Sequence, residues 1–358
     1  MTNYTQDETD IIVADSFNVL TYRQKRGFLC AERFDGDKPQ KYREELIKSH
    51  GAGVYNKLRD NFLSGRYREK VLAALDGEGV VCVTLKSGLY PEYLANTPVP
   101  PLVLYCKGDV NLLKGDLFAV VGSRRTLPAY LAACRRISRE LCARFNVVTG
   151  IADGADSAAL EGALEGGRAI CVLPNGFGCE YPVYSANLIR RAEREGLVMT
   201  EFTRGYPPKK FTFSLRNRIL AGLSRGTLVV SAAKKSGALI TAAYAAEYGR
   251  EVFAMPYGIG VSSGEGCNQL IKKGAFLTAS ALDIFSSFGL EFNSRKKEEL
   301  TCEQAKALDA IKSKGCAHIS EIAAALGKKT YEITAVCASL EIKGLIVKAG
   351  GNRYSPSE

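Results

Sequence analysis

Short apolar runs alternate with helical segments through the middle of the chain, and this alternation constrains the fold more than any other feature. Strands that alternate with helices indicate βαβ units, whose parallel sheet is covered on both faces and binds ligands at the carboxyl ends of its strands. We therefore predict an α/β domain with a Rossmann-like, doubly wound, mainly parallel sheet over residues 77–290. The apolar runs are GEGVVCVTL (77–85), LFAVVGSRR (117–125), NVVTGIADGADSAAL (146–160), RAICVLPNGF (168–177), GLVMTEF (196–202), GTLVVSAA (226–233) and REVFAMP (250–256).

The segments on either side of this domain have different patterns. Residues 1–76 contain few turn signals and are predicted to form an N-terminal helical region. The polar stretch FNSRKKEEL (292–300) is predicted to be a linker. Residues 301–358 contain three short helical patterns and a glycine-containing hairpin, which together indicate a winged helix.

Composition excludes several classes of protein. The 11 cysteines include no CxxC pair, and the chain has 2 histidines, so neither a metal site nor a cofactor is predicted. Reduced thiols are typical of a cytoplasmic protein. The N-terminus, MTNYTQDETD, is polar and does not resemble a signal peptide, and no apolar run is long enough to span a membrane. We expect a cytoplasmic protein without a membrane partner.

Positive charge is concentrated in one segment. The formal net charge is +10, and no Asp or Glu occurs between residues 202 and 246. A basic block without acids in its own sequence suggests a partner that supplies the anions. The cations of this block are Arg204, Lys209, Lys210, Arg216, Arg218, Arg225, Lys234 and Lys235.

Four segments at strand ends and helix starts combine glycine, hydroxyl and basic residues: 122–125, 149–156, 216–218 and 234–241. Helix N-termini that face one edge of a sheet can form a common phosphate-binding rim. Arginine adds a bidentate donor, and glycine permits close approach of a ligand. The predicted nucleic-acid contacts are Gly122, Ser123, Arg124, Arg125, Gly150, Arg216, Asn217, Arg218, Lys234, Lys235, Ser236, Gly237 and Thr241.

The stretch FTFSLRNRILAGLSRG (211–226) contains an electrostatic conflict. Its apolar spacing predicts a helix that begins near Ser214, so that Arg216 and Arg218 lie at the positive end of the helix dipole. Bound phosphates between the arginines and the helix would resolve this conflict. Alternatively, the arginines pair with internal carboxylates such as Glu201 or Asp156.

Three aromatic residues of the basic block are candidates for stacking on bases, although packing in the core explains them equally well. They are Tyr206, Phe211 and Phe213.

The order of these motifs resembles the DprA/Smf family of DNA-processing proteins, and the resemblance extends from about residue 90 to residue 275. It implies binding of single-stranded DNA at the sheet edge, a homodimer formed through the Rossmann domain, and loading of the RecA recombinase in transformation and recombination. The matching motifs are VGSR (121–124), TGIADGADSAAL (149–160), YP (181–182), TEF (200–202), RNRILAGLS (216–224), SGALITAA (236–243) and GCNQLIKKGA (266–275).

The chain departs from the usual family pattern at five positions. Asp153 stands in place of an arginine, and Leu160 in place of a histidine. Pro174 replaces a glycine, Ser231 an acidic residue, and Tyr257 a further glycine. The basic residues of the predicted site are retained.

The preferred function is that of a non-enzymatic single-stranded DNA-binding protein, with no catalytic residue and no cofactor. A nucleotide phosphoribohydrolase is the first alternative, but its PGGxGT-type loop with a following glutamate is absent. The acids at strand ends are Asp156 and Glu201, and the sequence does not bring them together. A winged-helix transcription regulator is the second alternative. Its predicted recognition helix, with Lys328 and Lys329 before it, has few base-reading residues.

Overall fold

The computed structural model describes residues 4–33, 39–179, 181–291, 300–342 and 345–357. Contacts within the chain divide it into two compact units, Met1–Phe292 and Asn293–Glu358. Each unit has a hydrophobic core of its own.

The first unit begins with helices that pack around a small aromatic cluster. Phe28 lies at the centre of this cluster, with ring centroids 5.4 Å from Phe17 and 5.3 Å from Phe62. The hydroxyl of Tyr105 donates a hydrogen bond of 2.8 Å to Asp15 and so ties the helices to the sheet. The helices are α1 (Gln6–Asp15), α2 (Tyr22–Arg33), α3 (Pro39–His50), α4 (Ala52–Leu63) and α5 (Gly65–Asp76).

The sheet of this unit contains nine strands among the described residues, in the order β1-β2-β6-β5-β4-β3-β7-β8-β9. The neighbours in the series β6-β5-β4-β3-β7-β8-β9 all pair in parallel. Strand β2 pairs antiparallel with both β1 and β6. The strands are β1 (Val81–Thr84), β2 (Val103–Gly108), β3 (Leu117–Val121), β4 (Asn146–Thr149), β5 (Ala169–Val172), β6 (Leu197–Thr200), β7 (Gly226–Val229), β8 (Glu251–Ala254) and β9 (Phe276–Leu277).

Helices cover both faces of this sheet. Every residue of β3 to β7 is buried, and because successive strand residues face opposite sides, neither face is open. The predicted Rossmann-like fold is therefore confirmed. The helices that follow α5 are α6 (Glu92–Ala95), α7 (Pro128–Leu141), α8 (Ala155–Glu165), α9 (Ala186–Glu195), α10 (Lys210–Leu223), α11 (Ala238–Glu247), α12 (Glu265–Lys272) and α13 (Ala281–Ser287).

The strand order reverses direction at β3. Strands β4, β5 and β6 lie on one side of β3, whereas β7, β8 and β9 lie on the other. The connections that leave β3 and β7 therefore diverge and open a crevice beyond the carboxyl ends of these two strands. Ligands of doubly wound proteins bind at such a switch point.

Helix α10 begins four residues earlier than the sequence predicts, at Lys210. The backbone N–H of Lys209 donates to the hydroxyl of Thr212 at 3.0 Å, a local cap that the apolar spacing does not reveal. Arg216 and Arg218 consequently lie in the middle of the helix. The prediction that they occupy the positive end of its dipole is wrong.

In the described residues of the second unit, three helices and a β-hairpin are present, the elements predicted for a winged helix. Strand β12 pairs antiparallel with both β10 and β11. Ile311, Ile322, Ile333 and Leu340 form the centre of its core. The elements are α14 (Cys302–Lys314), β10 (Ala317–His318), α15 (Ile319–Leu326), α16 (Thr330–Ile342), β11 (Ile346–Gly350) and β12 (Arg353–Pro356).

Candidate functional site

A cleft of about 590 Å³ lies at the switch point, and we call it the first cleft. It is bounded by the turn after β3, the start of α8, one face of α10 and the segment that enters α11. Ten of the thirteen predicted site residues line it: Gly122, Ser123, Arg124, Arg125, Arg216, Asn217, Lys235, Ser236, Gly237 and Thr241.

The turn after β3 is held by hydroxyl groups. The backbone N–H of Ser123 donates to the Ser231 hydroxyl at 3.0 Å, and the Thr126 hydroxyl donates to the Ser123 carbonyl at 2.8 Å. A Cβ on Gly122 would lie 2.5 Å from the Cβ of Ala155, so only glycine fits between the two turns. Ser231, one of the departures from the family pattern, thus supports this wall of the first cleft.

Arg216 forms the floor of the first cleft and is 4% exposed. Its Nη1 donates to the carbonyl of Val172 at 2.7 Å, and its Nη2 lies 3.7 Å from Oδ2 of Asp156. Burial raises the pKa of Asp156, and Arg216 opposes that rise; burial likewise lowers the pKa of Arg216, and Asp156 opposes that fall. The two side chains form a buried ion pair under the cleft.

Gly150 lies beneath this ion pair and does not line the cleft. A Cβ at this position would lie 2.2 Å from Oδ2 of Asp156 and 2.3 Å from Nη1 of Arg216. The absence of a side chain at Gly150 therefore makes room for the pair.

Four exposed cations surround the mouth of the first cleft: Arg124, Arg125, Lys210 and Lys235. None of them forms an ion pair with a described residue. The guanidinium of Arg124 lies 5.6 Å from the centroid of the Phe213 ring, which also lines the cleft. The carboxylate that lines the same cleft, Asp156, is already paired with Arg216. The rim therefore carries net positive charge.

The segment that enters α11 forms the opposite wall. Nδ2 of Asn217 donates to the carbonyl of Gly237 at 3.3 Å and joins α10 to this segment. The hydroxyl of Ser236 accepts from the backbone N–H of Ala238 at 3.4 Å, and Thr241 is buried. This wall therefore adds hydroxyl and amide groups beside Lys235.

Lys210 also lines the first cleft, although it is not among the contacts predicted from the sequence. Lys210, Phe213, Asn217 and Leu220 are spaced three or four residues apart, so they lie on one face of α10 and all line the first cleft. This spacing would identify Lys210 as a site residue from the sequence, but only if the helix were known to begin at Lys210.

The basic block has counter-charges after all, because the fold brings acids from distant parts of the chain. Asp116 pairs with Arg225 at 2.8 Å, and Glu265 pairs with Lys234 at 3.4 Å. Glu78 pairs with Arg204. Part of the block is therefore neutralised within the protein, and the charge left for a partner is confined to a few positions. Lys234 itself lies outside the lining of the first cleft.

Arg218 lines a different cavity, of about 420 Å³, which we call the second cleft. It is 8% exposed and forms a buried ion pair with Glu201, and it also donates to the carbonyl of Val99. Burial raises the pKa of Glu201 to about 7, and Arg218 opposes the rise. The structure therefore gives Arg218 an internal carboxylate partner and separates it from the predicted phosphate site.

The three candidate aromatics are divided between the two clefts. Phe213 lines the first cleft, whereas Tyr206 and Phe211 line the second. Tyr257, another departure from the family pattern, stacks on Tyr130 with ring centroids 3.9 Å apart.

The described residues provide neither a metal-binding cluster nor a membrane-spanning helix. No group of three or more His, Cys, Asp or Glu side chains is placed to hold a metal ion in that part of the chain. No helix among those residues is both long and apolar enough to cross a membrane.

A family model described as DNA recombination-mediator protein A matches residues 81–289. The chain is 38% identical over 200 residues to DNA processing protein DprA of Streptococcus pneumoniae, which covers 56% of this chain and 71% of the relative. It is 36% identical over 219 residues to DNA processing protein DprA of Bacillus subtilis, a match that covers 60% of this chain and 74% of the relative. Protein Smf of Escherichia coli is 39% identical to the chain over 215 residues, a match that covers 58% of this chain and 56% of the relative.

Solved structures that resemble the chain include two of DNA processing protein A. The X-ray structure of DprA from Streptococcus pneumoniae has a TM-score of 0.68 and 29% identity, and it covers 82% of this chain and 100% of that one. A structure of DNA processing protein A from Helicobacter pylori, which concerns the single-stranded DNA binding mode of that protein, has a TM-score of 0.53 and 29% identity. It covers 58% of this chain and 95% of that one.

Proposed function

The chain belongs to the DNA recombination-mediator protein A family, and from this premise we propose that it binds the phosphates of single-stranded DNA in the first cleft. One observation carries the proposal. Four exposed cations without ion-pair partners among the described residues surround a cleft at the switch point of the sheet, and the acid that lines this cleft is buried and paired. Phosphate groups are the natural counter-charge for such a rim.

The cations and the floor have different roles in this proposal. Arg124, Arg125, Lys210 and Lys235 contact phosphate oxygens, and Ser123, Ser236, Asn217 and Thr241 add hydroxyl and amide groups. Gly122 and Gly237 allow the strand to approach the backbone. Arg216 holds the floor of the cleft through Asp156, so its effect on binding is indirect.

The site favours a single strand over a duplex. The cations lie around a concave cleft, and a flexible strand can bend its phosphates into it, whereas a stiff duplex offers phosphates only along its outer surface. Phosphate contacts carry no sequence information, so little sequence preference is expected.

The wider role is proposed from the family. The protein protects incoming single strands and loads RecA recombinase onto them, forms a homodimer through the Rossmann domain of residues 77–290, and acts without catalysis or a cofactor in the cytoplasm. Residues 1–76 and 301–358 form the flanking helical and winged-helix domains. The separation of Asp156 and Glu201 into different clefts disfavours the phosphoribohydrolase alternative, because each acid is paired with its own arginine.

Titration of a fluorescently labelled oligothymidylate, followed by anisotropy, tests the proposal. Arg124→Ala, Lys210→Ala and Lys235→Ala should each weaken binding, and blunt duplex should compete poorly. Lys234→Ala is the matched control, because Lys234 is an exposed neighbour of Lys235 that pairs with Glu265 outside the cleft. Equal losses in Lys234→Ala and Lys235→Ala, or stronger competition by duplex than by single strand, would contradict the assignment.

A further inference from the structure

The second cleft has an aromatic wall and a polar wall. The rings of Phe202 and Tyr206 stack with centroids 5.0 Å apart, and Phe211 is 51% exposed beside them. Thr203 and Asn18 face the same cavity and hydrogen-bond to each other at 2.7 Å. Aromatic surface together with hydrogen-bonding groups is the combination that accepts an unstacked nucleobase.

Three buried polar atoms among the residues that line the second cleft have no hydrogen-bond partner. They are Oε1 of Glu201, Nε of Arg218 and the hydroxyl oxygen of Tyr22. Buried polar groups in folded proteins are nearly always paired. This wall therefore has both donor and acceptor capacity that the protein itself leaves unused.

The two clefts lie on opposite sides of α10, and the first turn of this helix contributes Lys210 to one and Phe211 to the other. Lys210 lines the first cleft. Its neighbour Lys209 lies 5.3 Å from the centroid of the Tyr206 ring and 5.9 Å from that of Phe211. A helix is about 10–12 Å across with its side chains, a distance that a few nucleotides of an extended strand can cover. The two lysines provide a positively charged path between the clefts.

On the basis of the proposed function, we propose that the strand bound in the first cleft continues over the start of α10 and places one unstacked base in the second cleft. The base stacks on the exposed ring of Phe211, beside the stacked pair of Phe202 and Tyr206, and its polar edge faces the wall that contains Glu201 and Asn18. The phosphate next to it pairs with Lys209. The second cleft is thus a base-binding subsite that lengthens the DNA footprint beyond the phosphate cleft.

A double-mutant cycle between protein and DNA tests this subsite. Oligothymidylates of roughly 12 nucleotides, within the range of single-strand footprints, carry one abasic nucleotide at each position in turn. For the wild-type protein, one or two adjacent abasic positions should weaken binding roughly fivefold or more. Phe211→Ala should weaken binding of the intact strand by a similar factor and should add no loss at those positions.

Two controls separate this subsite from the first cleft. Phe276→Ala removes an exposed phenylalanine from β9, away from both clefts, and should leave binding unchanged. An oligonucleotide too short to leave the first cleft should bind Phe211→Ala and wild-type protein equally. A similar loss for the short and the long strand would overturn the proposal, because Phe211 would then act by supporting the first cleft.

Failure of the base subsite can be distinguished from failure of the proposed function. If the wild-type protein does not bind single strands, the proposed function fails. If it binds them and Lys235→Ala weakens binding, but Phe211→Ala and the abasic scan show no coupling, the proposed function stands. In that case the base subsite is wrong.

Discussion

Arg216 and Arg218 are separated by one residue on α10, yet they lie in different clefts and pair with different acids. Successive residues of a helix are rotated by about 100° around its axis, so side chains two positions apart point to nearly opposite faces. Arg216 extends to Asp156 below the first cleft, and Arg218 extends to Glu201 in the wall of the second. One ion pair therefore joins α10 to α8, and the other joins it to the residue that follows β6.

Arg218→Gln should destabilise the protein. Removal of the guanidinium leaves the buried carboxylate of Glu201 without its partner, at a cost of about 2–4 kcal/mol at pH 8. At pH 5.5 the loss should be smaller, because Glu201 is then protonated. Chemical denaturation at both pH values measures it. Arg225→Gln is the control, because its pair with Asp116 is more exposed and should cost less than about 1 kcal/mol.

Arg218→Gln should leave the salt dependence of single-strand binding unchanged, because Arg218 lines the second cleft and not the phosphate cleft. The sequence predicts the opposite, a direct phosphate contact. A salt slope shallower by about 0.7 would restore that expectation.

Glu201 should make the stability fall as the pH rises. Its pKa in the folded protein is about 7, whereas an unfolded glutamate titrates near about 4.3. Between these values the folded state retains a proton that the unfolded state has lost. Between these pH values, the contribution of Glu201 to the free energy of unfolding therefore decreases by up to about 1.4 kcal/mol for each pH unit. Above pH 7 this contribution no longer changes with pH. Glu201→Gln should remove this part of the slope. Identical pH profiles of the variant and the wild type would be inconsistent with a raised pKa.

Gly150→Ala should disrupt the floor of the first cleft. The added methyl group would overlap both Asp156 and Arg216, so the pair must separate or shift. We expect a loss of stability of at least about 1–3 kcal/mol and weaker DNA binding, measured by thermal unfolding and anisotropy. Gly53→Ala is the control, because a Cβ there meets no atom within 4 Å and a helical alanine is favourable. Unchanged stability in Gly150→Ala would show that the floor adapts.

Lys210→Ala and Lys235→Ala should reduce the salt dependence of single-strand binding. The logarithm of the affinity falls with the logarithm of the salt concentration by about 0.7 per phosphate contact. Each variant should therefore have a shallower slope by roughly that amount, whereas Lys234→Ala keeps the wild-type slope. Titrations across a series of salt concentrations provide the measurement, and a wild-type slope in both cleft variants would move the phosphate site elsewhere.

A chain cut after Glu291 should keep most of its affinity for single strands. The first unit has its own core, and both clefts are built from its residues alone. Circular dichroism checks that the shortened protein folds, and anisotropy measures its binding. A folded protein that has lost binding would assign DNA recognition to the winged-helix domain.

The sheet could be predicted from sequence because its signal is local. Each parallel strand is an apolar run that ends in small or glycine residues, so the position of Gly122 and Gly150 at strand ends follows from the order of residues alone. The start of α10 could not be predicted in the same way. It depends on a hydrogen bond from the backbone N–H of Lys209 to the Thr212 side chain. Because the predicted helix begins near Ser214, the prediction puts both arginines at the end of the helix, whereas they lie in its interior.

The charge of the basic block could not be resolved from sequence for a different reason. Asp116 and Glu265 lie far along the chain from the block, and only the fold brings them to Arg225 and Lys234. Lys235 is adjacent to Lys234 and has the same chemistry, yet it faces the first cleft without an acid beside it. A sequence supplies the number of cations, whereas the packing decides which of them remain available to a ligand.

The antiparallel pairing of β2 with β6 imposes an order on biosynthesis. Gly108 is opposite Leu197 in this register, and a ribosome adds roughly 5–20 residues per second, so the nascent β2 waits for several seconds before its partner emerges. During that interval β2 has an open edge, which is a site of mispairing. The contact between the N-terminal helices and β2, from Tyr105 to Asp15, involves only residues that are made before β6. Pairing with β6 covers this edge once Leu197–Thr200 have left the exit tunnel of the ribosome.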